Sequence, residues 1–203
     1  MDRPLISSPA EPFAVCPIES ACDSPPTVRP GTKAFADFVM GNFGGGNSGF
    51  VRACGTRPSG HYTGKAWDWT NDANDPVAVM RVEDLLNWLF ANDYELFKRA
   101  GICYVIWNRQ RWSPRVMSWV EYTGPNPHTD HVHFSFSQDG ADGQTSFYTW
   151  LNGGQPMTKP VIEQHGVRIG YLFAGATAGF LIYTYRKDIN RLIDKLEPKE
   201  KWV

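Results

Sequence analysis

Cysteine is scarce in this chain, 4 in 203 residues, at positions 16, 22, 54 and 103. No two are spaced as CxxC, which removes a structural zinc knuckle from consideration. An excess of charge of one sign is lacking too. The 20 Lys and Arg stand against 21 Asp and Glu, for a formal net charge of −1. Without a basic surplus the chain does not read as a nucleic-acid binder. The opening stretch MDRPLISSPAEPF has neither a basic n-region nor an apolar h-region, so it does not read as a secretory signal. The glycine-rich run 41–49 has no lysine in P-loop position, which argues against phosphate cradling. No internal repeat is visible. The mean hydropathy of −0.38 excludes a polytopic membrane protein but not a single span. For the cysteines, a Cys54–Cys103 or a Cys16–Cys22 bridge stands against four free thiols.

What the chain does have is aromatic mass: 8 Trp, 8 Tyr and 12 Phe, enough for a core and for lining a groove. Residues 1–30 hold seven prolines; each removes an N–H donor, so this stretch reads as an extended arm or linker that can drape over a domain. Residues 31–157 read as a domain mixing helices and strands. Thr32 is placed to cap a short helix burying Phe35, Phe38 and Val39. Asp75-Pro76 starts the clearest helix, with Asp as N-cap and Pro in the first turn. Val82, Leu85, Leu86, Leu89 and Phe90 share its apolar face, and Gly101 stops it. Strands are expected at Ile102–Trp107 and Trp119–Tyr122. Residues His131–Phe136 alternate polar and apolar, as in a half-buried strand.

Residues 158–203 differ in character. Ile169–Tyr185 is a run of 17 uncharged residues, at the lower limit for a hydrocarbon core roughly 30 Å thick. Arg186 and Lys187 follow at once, which would face the cytoplasm and put the N-terminal domain outside. Gly175 and Gly179 form a GxxxG suited to helix–helix self-association. The last 18 residues carry six Lys and Arg against four Asp and Glu, with Ile189, Leu192, Ile193 and Leu196 on one helical face. A transmembrane anchor over 169–185 and a buried helix docked on the domain are the two readings.

The chemistry concentrates in histidine. Three of five lie within six residues, at 128, 131 and 133. On a strand His131 and His133 point the same way. His61 is followed seven residues later by Asp68, on an expected strand 66–69. Small Gly64 and Ala66 let the chain turn and pack closely between them. His61, Asp68 and His133 would make a two-nitrogen, one-oxygen set, and catalytic zinc commonly takes three protein ligands with one position open. Asp130 then stands as general base. A hydrogen-bonding role for separate histidines is the alternative.

Ser59–Asp68 (SGHYTGKAWD) fits the pattern SxHxxGxAxD at every specified position. It resembles the zinc D-Ala-D-Ala carboxypeptidase and L-Ala-D-Glu endopeptidase family, the VanY-like or LAS-type enzymes that include bacteriophage endolysins. The second family motif ends in a histidine ligand preceded three residues earlier by an acidic base. Asp130-His131-Val132-His133 matches it, with Asp where many members have Glu and His131 where a tryptophan is familiar. The resemblance covers roughly residues 31–150. It implies an α+β fold, a small antiparallel sheet flanked by helices in a LAS/Hedgehog-like domain, carrying here a C-terminal hydrophobic helix. It also implies Zn2+ on His61, Asp68 and His133, with Asp130 activating water and His131 polarising the substrate or supporting the site. In relatives an arginine upstream of the first histidine holds substrate or oxyanion; Arg57, nearest to His61, is preferred here over Arg52. Trp67, Trp69, Trp107 and Trp112 either line a groove or fill the core, and Lys65 is read as exposed.

The function implied is hydrolysis of an amide bond in the peptidoglycan stem peptide by a phage lysis enzyme. It would act at the host membrane or its wall side, with membrane contact through 169–185. A virion-associated wall-degrading protein and a catalytically silent, zinc-stabilised wall-binding module are the alternatives.

Overall fold

The computed structural model describes residues 11–16, 22–23 and 25–153. The segment 169–185, the Gly175/Gly179 pair and the basic tail lie outside them. Among the described residues no helix is long and apolar enough to cross a membrane.

Helix α1 (Pro30–Phe43) starts on its proline, with Arg29 extended before it as N-cap. Thr32, expected as the cap, lies inside the first turn instead. Its buried hydroxyl donates to the Gly64 carbonyl at 2.9 Å. Proline at the first position has no N–H to satisfy, so the helix starts without a hydroxyl cap. Phe35, Ala36 and Val39 are buried, a stripe at helical spacing. A Cβ on Gly31 would run into the backbone of Gly140 and Gly143, so α1 meets α3 (Gln138–Asp142) backbone to backbone.

Asp75 caps α2 (Pro76–Arg99), its carboxylate accepting from the Val77 amide at 2.9 Å. Val82, Leu85, Leu86 and Leu89 are buried as their spacing predicts. The helix is not continuous, however. Ala91 is extended, and Asn92, Asp93 and Tyr94 take left-handed φ of 53°, 58° and 60°. Asn and Asp are among the few L residues that tolerate that region. At the break Tyr94 packs on Trp112 and Phe13, ring centroids 4.9 and 5.8 Å away. A last helix, α4 (Ser146–Asn152), adds Phe147 and Trp150 to the core.

The described residues form an α+β fold around one six-stranded sheet of order β1-β2-β6-β3-β4-β5, with every neighbouring pair antiparallel. The strands are β1 (Gly46–Gly49), β2 (Ala66–Thr70), β3 (Ile102–Trp107), β4 (Gln110–Trp112), β5 (Trp119–Glu121) and β6 (His131–Phe136). Strands β1 and β4 were not expected: one lies in the glycine-rich run, and the other has three residues. Asn108 and Arg109, both at positive φ, join β3 to β4 in the two-residue hairpin that suits strand twist.

Pairing register divides the sheet into two faces. One cross-strand row runs Trp67–Phe134–Val105–Trp112–Trp119. Phe35 of α1 packs on Trp67 and Phe134, and Phe97 of α2 packs on Trp112. The adjacent row runs Asp68–His133–Ile106–Arg111–Val120 and takes the opposite face, because neighbours along a strand alternate. Strand β6 is buried at all six positions, not half-buried, since loops cover its polar face while helices cover the apolar one. Trp67, Trp69, Trp107 and Trp112 are all buried and belong to the core, not to a groove. The indole N–H of Trp67 donates to the Asn47 side chain and that of Trp69 to the Gly44 carbonyl, as buried tryptophans require.

The cysteines form two bridges, Cys16–Cys103 and Cys22–Cys54, neither of them a pairing considered from the sequence, and none is left free. Their Cα separations are 5.8 and 6.0 Å, normal for a disulfide. The arm returns along the domain, so its cysteines meet distant partners rather than each other. Phe13 sits against Phe97 and Trp112 on the same path.

Candidate metal centre

His61 is delivered by a tight turn. Residues Gly60–Thr63 form a 3₁₀ turn whose N-cap, Ser59, accepts from the His61 amide at 3.3 Å. Gly64 closes the turn in the left-handed region (φ 66°), and a Cβ there would strike the Thr27 carbonyl. The chain then enters β2, and four residues after Gly64 it presents Asp68 on the sheet face opposite the tryptophans. His133 stands directly across from Asp68 on β6.

The three side chains converge. Asp68 Oδ1 lies 3.1 Å from His61 Nε2 and 2.8 Å from His133 Nδ1, and the two imidazole nitrogens are 3.3 Å apart. All three residues are buried. Ligands held tetrahedrally by bonds of about 2.0–2.1 Å stand roughly 3.3 Å from one another, so the triangle has the size that one ion needs. Its protons point the same way. His61 Nδ1 is 2.9 Å from the Phe50 carbonyl and donates to it, which leaves Nε2 of the neutral ring with a bare lone pair. That lone pair faces a carboxylate oxygen and a second imidazole nitrogen. A cation at the centre satisfies all three atoms, and this buried His/Asp/His group can hold a metal ion.

Asp68 is also held from outside: Arg52 Nη2 donates to Oδ2 at 2.9 Å. One carboxylate oxygen thus faces the triangle and the other is fixed by a guanidinium. Burial alone would raise the Asp68 pKa. The close approach of the His133 and His61 imidazoles outweighs it and holds the group far below the carboxylate range. Burial holds His133 below the ordinary histidine range, against the opposing pull of Asp68. Both groups therefore stand in the deprotonated form a metal requires.

Asp130 is not at the triangle. Its side chain is 81% exposed and its Oδ1 lies 2.7 Å from His131 Nδ1; that hydrogen bond is the largest cause of its lowered pKa. His131 is what reaches the centre, with Nε2 3.6 Å from Asp68 Oδ1. The order is therefore carboxylate, imidazole, metal triangle. Arg57 is exposed and no described hydrogen bond links it to the site; Arg52 fills the adjacent place. Lys65 is half-buried rather than exposed.

Sequence reasoning left two contributors without a role. His128 is buried, its ring 4.8 Å from His131 and 5.6 Å from His133. Burial lowers its pKa to about 4, with the charges of His133 and His131 acting in the same direction, so it is neutral at pH 7. Its place in the three-histidine cluster was the available signal. Tyr104 of β3 stacks on His133 at 5.6 Å, and nothing in its local sequence marks it.

Residues 24–133 match the family model described as VldE, C-terminal domain. No curated protein and no solved structure matches the chain. The matched stretch takes in α1, the His61 turn, β2 and β6 as far as His133, so it contains every side chain of the triangle and the Asp130–His131 pair. It spans more than half of the 203 residues, and on that ground the chain belongs to the VldE C-terminal domain family.

Proposed function

We propose that this protein is a zinc-dependent peptidase that hydrolyses an amide bond in the peptide of the bacterial cell wall. The observation that carries it is the pairing of an N,N,O triangle with an imidazole beside it that is itself oriented by a carboxylate. Three protein ligands of this kind, leaving a position open, are the donor set of catalytic rather than structural zinc. Zinc, when bound, supplies Lewis acidity that lowers the pKa of water toward about 7 and polarises an amide carbonyl. His131 does the proton work. Its Nδ1–H donates to Asp130, so Nε2 carries the lone pair and can take a proton from an attacking water, then return it to the departing amine as the C–N bond breaks. Asp130 fixes the ring and its tautomer. Arg52 keeps Asp68 in place.

The choice of the wall peptide rests on the likeness of Ser59–Asp68 and Asp130–His133 to the D-Ala-D-Ala carboxypeptidase and L-Ala-D-Glu endopeptidase motifs. The LAS/Hedgehog-like form of the α+β domain belongs to the same proposal. The two disulfides suit work outside a reducing cytosol, where the wall lies.

The test is incubation of the zinc-loaded protein with purified peptidoglycan, following new amino groups and the masses of released fragments. The expected result is stoichiometric zinc and peptide cleavage. His61→Ala is expected to lose the metal. His131→Ala is expected to keep it and lose about 10²–10⁴-fold in turnover. Full zinc occupancy with no amino groups released would leave a silent wall-binding module and end the hydrolase reading.

A further inference from the structure

The metal-bearing face of the sheet continues past the centre. Along the row Asp68–His133–Ile106–Arg111–Val120, Arg111 stands two strands beyond His133, roughly 10 Å away at the usual strand spacing. A cavity of about 700 Å³ opens there. Ser59, Tyr104 and Ser135 form its wall toward the centre; Arg111, Arg115 and Val120 form the far side. Each residue of the near wall is tied to a ligand. Ser59 caps the turn that carries His61, and Tyr104 stacks on His133 with 22° between the planes. Ser135 follows His133 by two positions on the same face of β6. The Cys16–Cys103 bridge closes another side. The cavity therefore lies against residues that support the metal centre.

Its charge is one-sided. Two guanidinium groups and no carboxylate line it, in a chain whose net charge is −1. No described ion pair involves Arg111 or Arg115. Arg111 lies over the Tyr104 ring, Cζ 4.3 Å from the centroid. Stacking occupies the face of a guanidinium and spares the N–H donors in its plane, the ones that grip a carboxylate in bidentate fashion. The distance from Arg111 to His133 corresponds to two or three residues of extended peptide, less the reach of the arginine itself.

We propose that this cavity is the substrate subsite for a carboxylate-bearing peptide residue, with Arg111 and Arg115 binding the carboxylate while the scissile amide lies at the metal centre. The inference rests on the peptidase reading and adds to it the chemical class of substrate: an acidic peptide, bound through a free carboxylate close to the bond that is cut. Val120, opposite Arg111 on β5, gives the subsite an apolar side against which an aliphatic side chain can pack.

The test uses the full chain, zinc-loaded, and two synthetic peptides: L-Ala-D-Glu-L-Lys-D-Ala with free carboxylates, and the same peptide with its carboxylates amidated. Binding is measured by calorimetry in the His131→Ala background, so that turnover does not consume the probe. The acid form is expected to bind roughly tenfold more tightly, the gain typical of charge-assisted hydrogen bonds. Adding Arg111→Gln and Arg115→Gln is expected to bring the ratio close to one. Both side chains are exposed, so zinc content and melting temperature should stay unchanged. Equal affinity for the two peptides, no measurable binding of either, or a preference that survives the double substitution overturns the subsite. Cleavage by the otherwise unsubstituted protein separates the two ideas. Hydrolysis without acid preference removes the subsite and keeps the peptidase, whereas an arginine-dependent preference without hydrolysis removes the peptidase and keeps the subsite.

Discussion

Asp130 and His131 are neighbours in the chain, but they stand in series beside the His61, Asp68 and His133 triangle. A base three residues ahead of the last ligand is what the family motif suggests, and Asp130 occupies that position. Its carboxylate turns outward and holds His131 Nδ1 instead. An orienting carboxylate that is mostly exposed contributes less than the group it orients. Asp130→Asn should therefore keep its zinc and lose about 10- to 100-fold in kcat, less than His131→Ala, measured by steady-state kinetics beside metal analysis. A loss equal to or larger than that of His131→Ala would make Asp130 the base itself. Arginine gives a similar lesson at this scale. Arg57 is closer to His61 in sequence, but Arg52 meets Asp68, because the path of the loop and not residue count decides which guanidinium arrives.

Among the elements, the His61 turn is where local conformation and metal chemistry are most tightly coupled. Gly64 is left-handed and its missing Cβ leaves room for the Thr27 carbonyl. Alanine there combines backbone strain with a clash, at a cost of about 1–3 kcal/mol. It also pushes on the turn that presents His61. Gly64→Ala should lower the urea midpoint and weaken zinc affinity together, whereas Gly41→Ala, inside α1 where a Cβ meets nothing within 4 Å, should leave zinc affinity unchanged and raise the midpoint slightly, alanine being about 0.5–1 kcal/mol better than glycine in a helix. Elements with strong local signals were legible in sequence. The Asp75-Pro76 start, the apolar face of α2, and strands β3 and β6 all depend on residues close together in the chain. So was the convergence of His61, Asp68 and His133, because two motifs carried it. The break at 91–94, the short strands β1 and β4, and burial on both faces of β6 were not legible. Tyr94 is settled by partners distant in the chain, Phe13 and Trp112, whereas β4, three residues long, carries too short a pattern to read and is defined only by its pairing with β3 and β5.

Over the described domain as a whole, the disulfides supply long-range constraint. They join residues 87 and 32 positions apart, and closing loops of that size stabilises a fold by about 3–5 kcal/mol each in the chain-entropy picture. Reduction should lower the unfolding free energy by a comparable amount, seen as a shift in urea midpoint between oxidised and reduced protein. An unchanged midpoint would show that packing of Phe13 already holds the arm. The wrong pairings considered from sequence have the same physical origin: Cys16 and Cys22 are near each other in the chain, yet each is bridged to a distant partner, Cys103 and Cys54.

The two cross-strand rows lie one residue apart along every strand they cross. Sliding β6 by a single position against β2 would turn His133 toward the phenylalanines and Phe134 toward the polar face that carries Asp68. A one-residue slip therefore cannot scatter the ligands and keep the oily interior intact at the same time. Any quality control that rejects a spoiled interior, by proteolysis or by aggregation, rejects with it the one-residue slip that would take the triangle apart.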